Sequence, residues 1–176
     1  MFGIDESRTF KPVHVAIVTV SDTRTAENDT SGDTLAERVR AAGHSVAARA
    51  LLRDDVGLLA AKLRAFIDDP AVDVVLVTGG TGLTGRDITP EAFDQVAEKH
   101  IPGFGELFRM LSYKTIGTST IQSRATACVA KGTYLFALPG STSACREAWD
   151  DILVFQLDSR HRPCNFVELM PRLREK

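Results

Sequence analysis

The chain has 176 residues and 44% hydrophobic content, which suits one α/β domain with a single core. Its formal net charge of -2 gives no indication of a nucleic-acid partner or of an anionic membrane surface. The sequence has no apolar run long enough to span a bilayer, and its N-terminus lacks the apolar core of a signal peptide. We therefore expect a cytoplasmic protein with no membrane partner.

The chain begins with a terminal segment, a strand and a helix. We expect residues 1–12 to be a flexible N-terminal segment that precedes a single domain over residues 13–176. Residues 13–20 form a near-continuous β-branched apolar run, which is typical of a strand buried on both faces of a parallel sheet. Thr30 and Asp33 have the spacing of a capping box and predict the start of a helix.

The next part of the chain repeats this alternation. Residues 45–52 predict a second strand, and Asp54 and Asp55 predict the start of a second helix. That helix has apolar residues at helical spacing and stops before Pro70. A third predicted strand, residues 73–77, then ends in a loop with four glycines.

This loop is the most informative part of the sequence, because bare backbone N–H groups can approach phosphate oxygens closely. Residues 80–85 spell G-x-G-x-x-G, but they follow the third strand and do not open directly into a helix, as a dinucleotide fingerprint would. Residues 80–87 approach the P-loop pattern, although Arg86 and Asp87 replace its lysine and its hydroxyl. A tight turn alone would need one or two glycines with positive φ. Four glycines beside an arginine and an aspartate therefore favour a phosphate–metal site.

The second half of the chain continues the alternation of helices and strands. Thr89 followed by Pro90 predicts a helix start with an N-cap. Residues 126–129 and 133–138 predict two later strands. Ser141 then predicts the cap of a long helix with a buried apolar stripe.

Strands that alternate with helices predict a three-layer α/β fold, with a mostly parallel sheet and helices on both faces. The tail from Arg160 is predicted to be irregular and basic. In open parallel sheets, ligands bind at the carboxyl ends of the strands. Four polar segments that each follow a strand are therefore expected to form one site: residues 21–22, 54–55, 78–87 and 139–141.

Two parts of this expected site can bind anions. The backbone N–H groups of Gly79, Gly80, Thr81 and Gly82 can hold phosphate oxygens. The Gly140–Ser141 pair, at the start of a helix, offers a second anion site through the helix dipole and a hydroxyl.

Charged side chains provide a candidate metal site. Asp54 and Asp87 could share a magnesium ion that bridges phosphates, and Arg86 could neutralise charge on a transferring phosphate. Asp54 or Asp55 could instead be a helix N-cap, and the pattern leaves both alternatives open.

Other polar residues have weaker signals. Glu106 and Arg109 could belong to the site or form an exposed i, i+3 ion pair. The hydroxyl-rich residues 118–120 and the pair Ser123 and Arg124 could bind ligand or form a solvated turn. The three cysteines are widely spaced and predict neither a disulfide framework nor a zinc site, so each is expected to be a small buried hydrophobic residue and not a nucleophile.

Several long motifs together resemble one family. The segments TGGTGLTGRDITPEAF, PGFGELFRMLS, GTSTIQSRA and LPGSTSAC resemble the MoaB/MogA family of molybdenum cofactor biosynthesis proteins. The segments DTSG at residues 29–32 and RPCNF at residues 162–166 resemble the MoaB branch. The resemblance covers nearly all of residues 13–166 and implies the molybdopterin-binding, MogA-like fold.

The resemblance also implies an adenylyltransferase that moves AMP from Mg-ATP to the terminal phosphate of molybdopterin. Its substrates would be ATP and molybdopterin, its cofactor Mg²⁺, and its catalytic and metal-binding residues Asp54 and Asp87. The candidate substrate- and phosphate-binding residues are Thr78, Gly79, Gly80, Thr81, Gly82, Arg86, Glu106, Ser119, Pro139, Gly140 and Ser141.

Three questions stay open on the sequence alone. Arg53 stands where MogA-like members usually have a proline, so the choice between Asp54 and Asp55 is not decided. The chain could be a non-catalytic carrier of molybdopterin or a precursor instead of an enzyme. The resemblance implies a homotrimer or a homohexamer, and other molybdenum cofactor biosynthesis proteins are possible partners.

Overall fold

The computed structural model describes residues 3–175. The strands are β1 (Gly3–Ile4), β2 (His14–Val20), β3 (Ser45–Leu52), β4 (Val74–Thr78), β5 (Lys99–His100), β6 (Thr126–Ala130), β7 (Thr133–Leu138) and β8 (His161–Arg162). The α-helices are α1 (Thr30–Ala41), α2 (Val56–Ile67), α3 (Thr89–Asp94), α4 (Pro102–Ile116), α5 (Thr142–Ala148), α6 (Val154–Gln156) and α7 (Phe166–Leu169). A π-helical turn, Trp149–Leu153, joins α5 to α6, and 3₁₀ turns occur at Gly117–Gln122 and Met170–Arg172.

Six strands form the central sheet in the order β3-β2-β4-β7-β6-β5. Strand β2 pairs in parallel with β3 and with β4, and β4 pairs in parallel with β7. Strand β6 is antiparallel to both of its neighbours. The prediction of a mostly parallel sheet is therefore confirmed. The strand order reverses between β2 and β4, which is where ligands bind in sheets of this type.

Each face of the sheet carries its own apolar core, which confirms the three-layer prediction. Val15 and Ile17 pack with residues of α1, α4 and α5, whereas Ala16 and Val18 pack with residues of α2 and α3. Both faces of β2 are covered, so every position from Val15 to Val20 is buried. That arrangement explains the continuous apolar run, because alternation would place polar groups in one of the two cores.

The ends of two helices differ from the sequence prediction. The N-cap of α1 is Asp29, whose carboxylate accepts the Gly32 N–H at 3.0 Å, so the capping box at Thr30 is wrong. Thr89 is the first residue of α3 instead of its cap, because its hydroxyl donates to the Gly79 carbonyl at 2.7 Å. Thr89 therefore joins the helix to the glycine loop.

The described part of the N-terminal segment lies against the C-terminal tail. Strand β1 pairs with β8 in the antiparallel sense, and the Asp5 N–H donates to the Arg160 carbonyl at 3.0 Å. The ring of Phe10 lies 5.2 Å from that of His44. The tail, predicted to be irregular, contains β8 and the short helix α7, which Asn165 caps. None of the helices in residues 3–175 has the length and apolar character to cross a membrane.

Candidate functional site

A cavity of about 790 Å³ opens at the carboxyl ends of β2, β3, β4 and β7. All four of these strands run in the same direction, so the segments that follow them meet at one edge of the sheet. The predicted site residues in its wall are Asp54, Thr78, Gly79, Gly80, Thr81, Gly82, Arg86, Asp87, Pro139, Gly140 and Ser141. The structure therefore brings together eleven of the thirteen predicted site residues.

The backbone of the glycine loop requires its first two glycines. Gly79 and Gly80 have φ of 105° and 65°, a region that L-amino acid side chains rarely adopt. A Cβ atom on Gly79 would lie 2.2 Å from the Val20 carbonyl oxygen. The Gly79 N–H donates to the Leu138 carbonyl at 3.0 Å, which leaves the N–H groups of Gly80 and Thr81 as the candidates for binding an anion.

Asp87 folds the second half of this loop around its own carboxylate. Its Oδ2 accepts the Thr84 N–H at 2.8 Å and the Thr84 hydroxyl at 2.7 Å, and the Gly82 N–H also donates to the carboxylate. Burial alone would raise the pKa of Asp87, but the hydrogen bonds from Thr84 and Gly82, with the charge of Arg124, hold it below its usual range. Asp87 is therefore a stable carboxylate at the wall of the cavity.

Arg124 fixes the same loop from the outside. Its Nε donates to the Gly82 carbonyl at 2.6 Å and its Nη2 to the Asp87 carbonyl at 2.7 Å. The Arg124 N–H also donates to the Thr81 carbonyl at 2.8 Å. The guanidinium forms an ion pair with Glu91 of α3. Because these bonds occupy the carbonyl groups of residues 81, 82 and 87, they set the path of the loop backbone beside the cavity.

The structure separates the two aspartates that follow β3. Asp55 is the N-cap of α2, and its carboxylate accepts the Leu58 N–H at 2.8 Å. Asp54 instead lines the cavity and exchanges hydrogen bonds with Asp22: each backbone N–H donates to the other carboxylate, at 3.1 and 3.2 Å. Burial raises the pKa of Asp54, and the negative charge of Asp22 raises it further.

The chemistry around Asp54 fits a divalent cation. The negative charges of Asp54 and Asp22 repel each other. The Arg86 guanidinium lies 3.7 Å from the Asp22 carboxylate, on a side chain that is 77% exposed. Carboxylate oxygens are the donors that Mg²⁺ prefers, together with water and substrate phosphates. Across residues 3–175, no group of three or more His, Cys, Asp or Glu side chains could hold a metal unaided. These residues therefore suit a cation that arrives with a phosphate ligand.

The turn after β7 also lines the cavity, next to the glycine loop. The Gly140 carbonyl accepts two hydrogen bonds, one from the Arg24 guanidinium at 3.0 Å and one from the Ser31 hydroxyl at 2.9 Å. Ser141 caps α5 as predicted, and its hydroxyl accepts the Ala144 N–H at 3.2 Å. A Cβ atom on Gly140 would lie 3.3 Å from Gly79 Cα, so the two glycines let the loops approach closely.

The cavity also extends into a cleft between α4 and α5. Phe108, Ile116 and Ala144 give this cleft apolar walls. Glu147 of α5 lines it as well, and the hydroxyls of Ser112 and Thr115 on α4 donate to the Glu147 carboxylate. One end of the site is therefore lined by glycine backbone and charged side chains. The other end is lined by apolar and hydroxyl side chains and by the carboxylates of Glu147 and Asp151.

Residues 16–159 match the model of a family described as a probable molybdopterin binding domain. The chain belongs to this family. Among its relatives, molybdenum cofactor biosynthesis protein B of Escherichia coli K12 is 51% identical over 160 residues, which cover 91% of this chain and 94% of the relative. The protein of the same name from Bacillus subtilis is 42% identical over 146 residues, which cover 82% and 86%.

Solved structures of related proteins have the same fold. A crystal structure of molybdenum cofactor biosynthesis protein B superposes with a TM-score of 0.82 at 42% identity, and covers 85% of this chain and 94% of that chain. The tungsten cofactor synthesizing protein MoaB of Pyrococcus furiosus has a TM-score of 0.71 at 33% identity, with coverage of 81% and 91%. The predicted MoaB/MogA-like fold is confirmed.

Two residues chosen on the family resemblance lie outside the cavity wall. Glu106 and Ser119 are exposed, on α4 and in the 3₁₀ turn that follows it. Arg109, the possible ion-pair partner of Glu106, donates instead to the Ser123 and Ala125 carbonyls at 3.3 and 3.0 Å. The proposed roles of Glu106 and Ser119 therefore have no support from the geometry of this chain.

Sequence reasoning missed two residues that shape the site, Arg24 and Glu147. Asp22 directly follows β2 and belongs to the predicted segment 21–22, whereas the sequence left Arg124 open between a ligand-binding loop and a solvated turn. Arg24 contacts Gly140, 116 residues away, and Arg124 contacts Gly82, 42 residues away. Nothing in the local pattern indicates such contacts, since they arise only when distant loops converge.

Proposed function

We propose that this chain acts in molybdenum cofactor biosynthesis, binds molybdopterin, and transfers AMP from Mg-ATP to the terminal phosphate of molybdopterin. The observation that carries the proposal is the cavity at the carboxyl ends of β2, β3, β4 and β7, in which a glycine loop faces two acidic side chains. Membership of the molybdopterin-binding family and the names of its relatives support the pathway.

In this reaction, an oxygen of the molybdopterin phosphate attacks the α-phosphorus of ATP. A new P–O bond forms as the bond from the α-phosphorus to the bridging oxygen breaks, and pyrophosphate leaves. Such chemistry needs positioning and charge neutralisation more than covalent help from the protein. The N–H groups of Gly80 and Thr81 would orient a phosphate, and Arg86 would offset negative charge.

Asp54, with Asp22 beside it, would hold Mg²⁺ through carboxylate oxygens, and Asp87 would contribute through the phosphates or through water. When bound, the metal ion supplies neutralisation of phosphate charge. The raised pKa of Asp54 supports this role, because a cation would relieve the repulsion between Asp54 and Asp22.

The proposal is tested by incubating purified protein with molybdopterin, Mg²⁺ and ATP, and measuring adenylylated pterin and pyrophosphate. We expect both products, and we expect Asp87→Ala to abolish them while molybdopterin still binds. If the Asp87→Ala protein lost binding but kept its turnover per bound ligand, the proposed role of Asp87 would be wrong.

One observation favours a non-catalytic carrier as the second candidate. The Asp87 carboxylate already accepts bonds from Thr84 and Gly82, so a purely structural role in the loop would also explain this residue. A carrier would bind molybdopterin, or a precursor, with wild-type affinity and form no pyrophosphate.

We also propose that the chain assembles as a homotrimer or homohexamer. Helix α4 exposes a stripe of large apolar side chains at a spacing of three residues: Leu107, Met110, Tyr113 and Ile116. The 3₁₀ turn after it adds Ile121, which is 81% exposed. Contiguous apolar surface of this kind marks an interaction site in a folded protein.

A further inference from the structure

The cleft between α4 and α5 ends in a carboxylate whose two oxygens have fixed positions. The buried Ser112 hydroxyl donates to Oε2 of Glu147, and the Thr115 hydroxyl donates to Oε1 at 3.3 Å. Both donors lie one turn apart on α4, opposite Glu147 on α5. The facing helix therefore orients the carboxylate, and each oxygen retains a lone pair for a further donor.

Glu147 also has its negative charge unneutralised. The ion pairs within residues 3–175 do not include it. Phe108, Ile116 and Ala144 line the cleft together with the hydroxyl side chains of Ser112, Thr115 and Ser143. A carboxylate without a cationic partner is a strong acceptor for a ligand with N–H donors.

Few ring systems match two neighbouring acceptor oxygens. The 2-amino-4-oxo edge of a pterin presents two parallel donors, its N3–H and its 2-amino group, in the same fork that an arginine offers to a carboxylate. Adenine presents one donor beside the N1 lone pair, which a carboxylate oxygen would repel. The acceptor pair in this cleft therefore selects the pterin ring over the adenine ring.

The distance along α5 from Ser141 to Glu147 matches a ligand that has a phosphate at one end and a ring at the other. Ser141, beside the glycine loop, and Glu147 are six residues apart, or roughly 9 Å along a helix at 1.5 Å per residue. Molybdopterin has a pterin ring at one end and a phosphate at the other. A ligand with its phosphate near the glycine loop would thus reach Glu147 with its ring.

We propose that Glu147 is the specificity residue for the pterin ring, and that it accepts the N3–H and 2-amino donors while Phe108 and Ile116 contact the ring. This inference rests on the proposed function, because it assigns a part of the molybdopterin site. A structural alternative is that Glu147 only joins α5 to α4 through Ser112 and Thr115.

The test uses two fluorescent probes, 6-hydroxymethylpterin and its lumazine analogue, which carries an oxygen in place of the 2-amino group. We expect the wild-type protein to bind the pterin about tenfold more tightly, the effect of about 1.4 kcal/mol from one charge-assisted bond. Glu147→Gln should lose this preference, because an amide offers one acceptor instead of two, while its midpoint of urea unfolding and its affinity for ATP stay unchanged.

Asp151→Asn is the matched control, since Asp151 also lines the cavity and the substitution removes the same charge. It should keep the preference for the pterin probe. The proposal is overturned if Glu147→Gln keeps the preference, or if the wild-type protein shows none. Pterin discrimination without AMP transfer would support the Glu147 assignment and contradict the transferase, so the two proposals fail separately.

Discussion

The Nε atom of Arg124 donates to the Gly82 carbonyl at 2.6 Å, and this bond joins the segment before β6 to the loop after β4. The same guanidinium reaches the Asp87 carbonyl at 2.7 Å. One side chain thus holds two carbonyl groups of the glycine loop without lining the cavity itself. The position of Asp87 in the cavity wall depends on this contact.

Arg124→Ala should destabilise the protein by about 2 kcal/mol, because it leaves partly buried carbonyl groups without donors. Urea unfolding followed by circular dichroism measures this change. Glu91→Gln is the control, since it removes the ion pair with Arg124 and spares the carbonyl contacts. An exposed ion pair contributes up to about 1 kcal/mol. Equal losses of unfolding free energy in both variants would show that the ion pair, and not the carbonyl contacts, accounts for the stabilisation by Arg124.

Gly79→Ala should destabilise the protein by at least ~2 kcal/mol, because a side chain at φ 105° is strained and its Cβ would overlap the Val20 carbonyl. Gly85→Ala belongs to the same loop and meets open space, so its unfolding free energy should stay within about 0.5 kcal/mol of the wild type. Denaturant titration of both variants checks the difference. Tolerance of alanine at Gly79 would contradict the described loop geometry.

Asp54→Asn should stabilise the protein at neutral pH by a few tenths of a kcal/mol. The pKa of Asp54 is raised by burial and by Asp22, so the folded state binds its proton more tightly than the unfolded chain does. The charged carboxylate therefore opposes folding at pH 7. This penalty disappears as the pH falls to the ordinary carboxyl pKa of 3.8, and the gain from the substitution should disappear with it.

Thermal unfolding between pH 7 and pH 3.5 measures that trend. Asp55→Asn provides the control, because asparagine keeps the N-cap of α2. Its stability should follow that of the wild type over the whole range. A loss of stability in Asp54→Asn at pH 7 would show that the contact with Asp22 is favourable.

Met110→Asp should reduce the mass of the assembly in solution, because it places a charge in the centre of the exposed apolar stripe of α4. Light scattering after size-exclusion chromatography gives the mass. Leu58→Asp changes a similarly exposed residue on α2, and should leave the mass unchanged. If the wild type is a monomer, the proposed oligomer is wrong.

The sequence predicted the sheet and the part of the cavity wall at the strand ends for a clear physical reason. Buried parallel strands require continuous apolar runs, and their polar ends must converge at one edge. Residues 13–20 and the loop from residue 78 to residue 87 both carry these local signals.

The cysteines were predicted to be buried. This prediction is confirmed for Cys128 and Cys145 and is wrong for Cys164, which is exposed. Burial raises the pKa of Cys128 to about 12, so this thiol is not a nucleophile.

The remaining site residues could not be predicted from local patterns. In the sequence, Glu147 looks like an ordinary exposed helical glutamate. Its role becomes visible only in the fold, where Ser112 and Thr115 of α4 lie opposite it and donate to its carboxylate. Thr89 has the sequence pattern of an N-cap, but its hydroxyl donates a hydrogen bond to the nearby Gly79 carbonyl. Such roles depend on the tertiary neighbour, which a sequence motif does not specify.

The most direct test of the proposed function is pyrophosphate release by the wild-type protein with molybdopterin, Mg²⁺ and ATP, compared with Asp54→Asn and Asp55→Asn. We predict release by the wild type and by Asp55→Asn, in which only a helix cap changes, and loss of release in Asp54→Asn, whose carboxylate lines the cavity. A wild-type protein that binds molybdopterin but releases no pyrophosphate would contradict the transferase and identify a carrier.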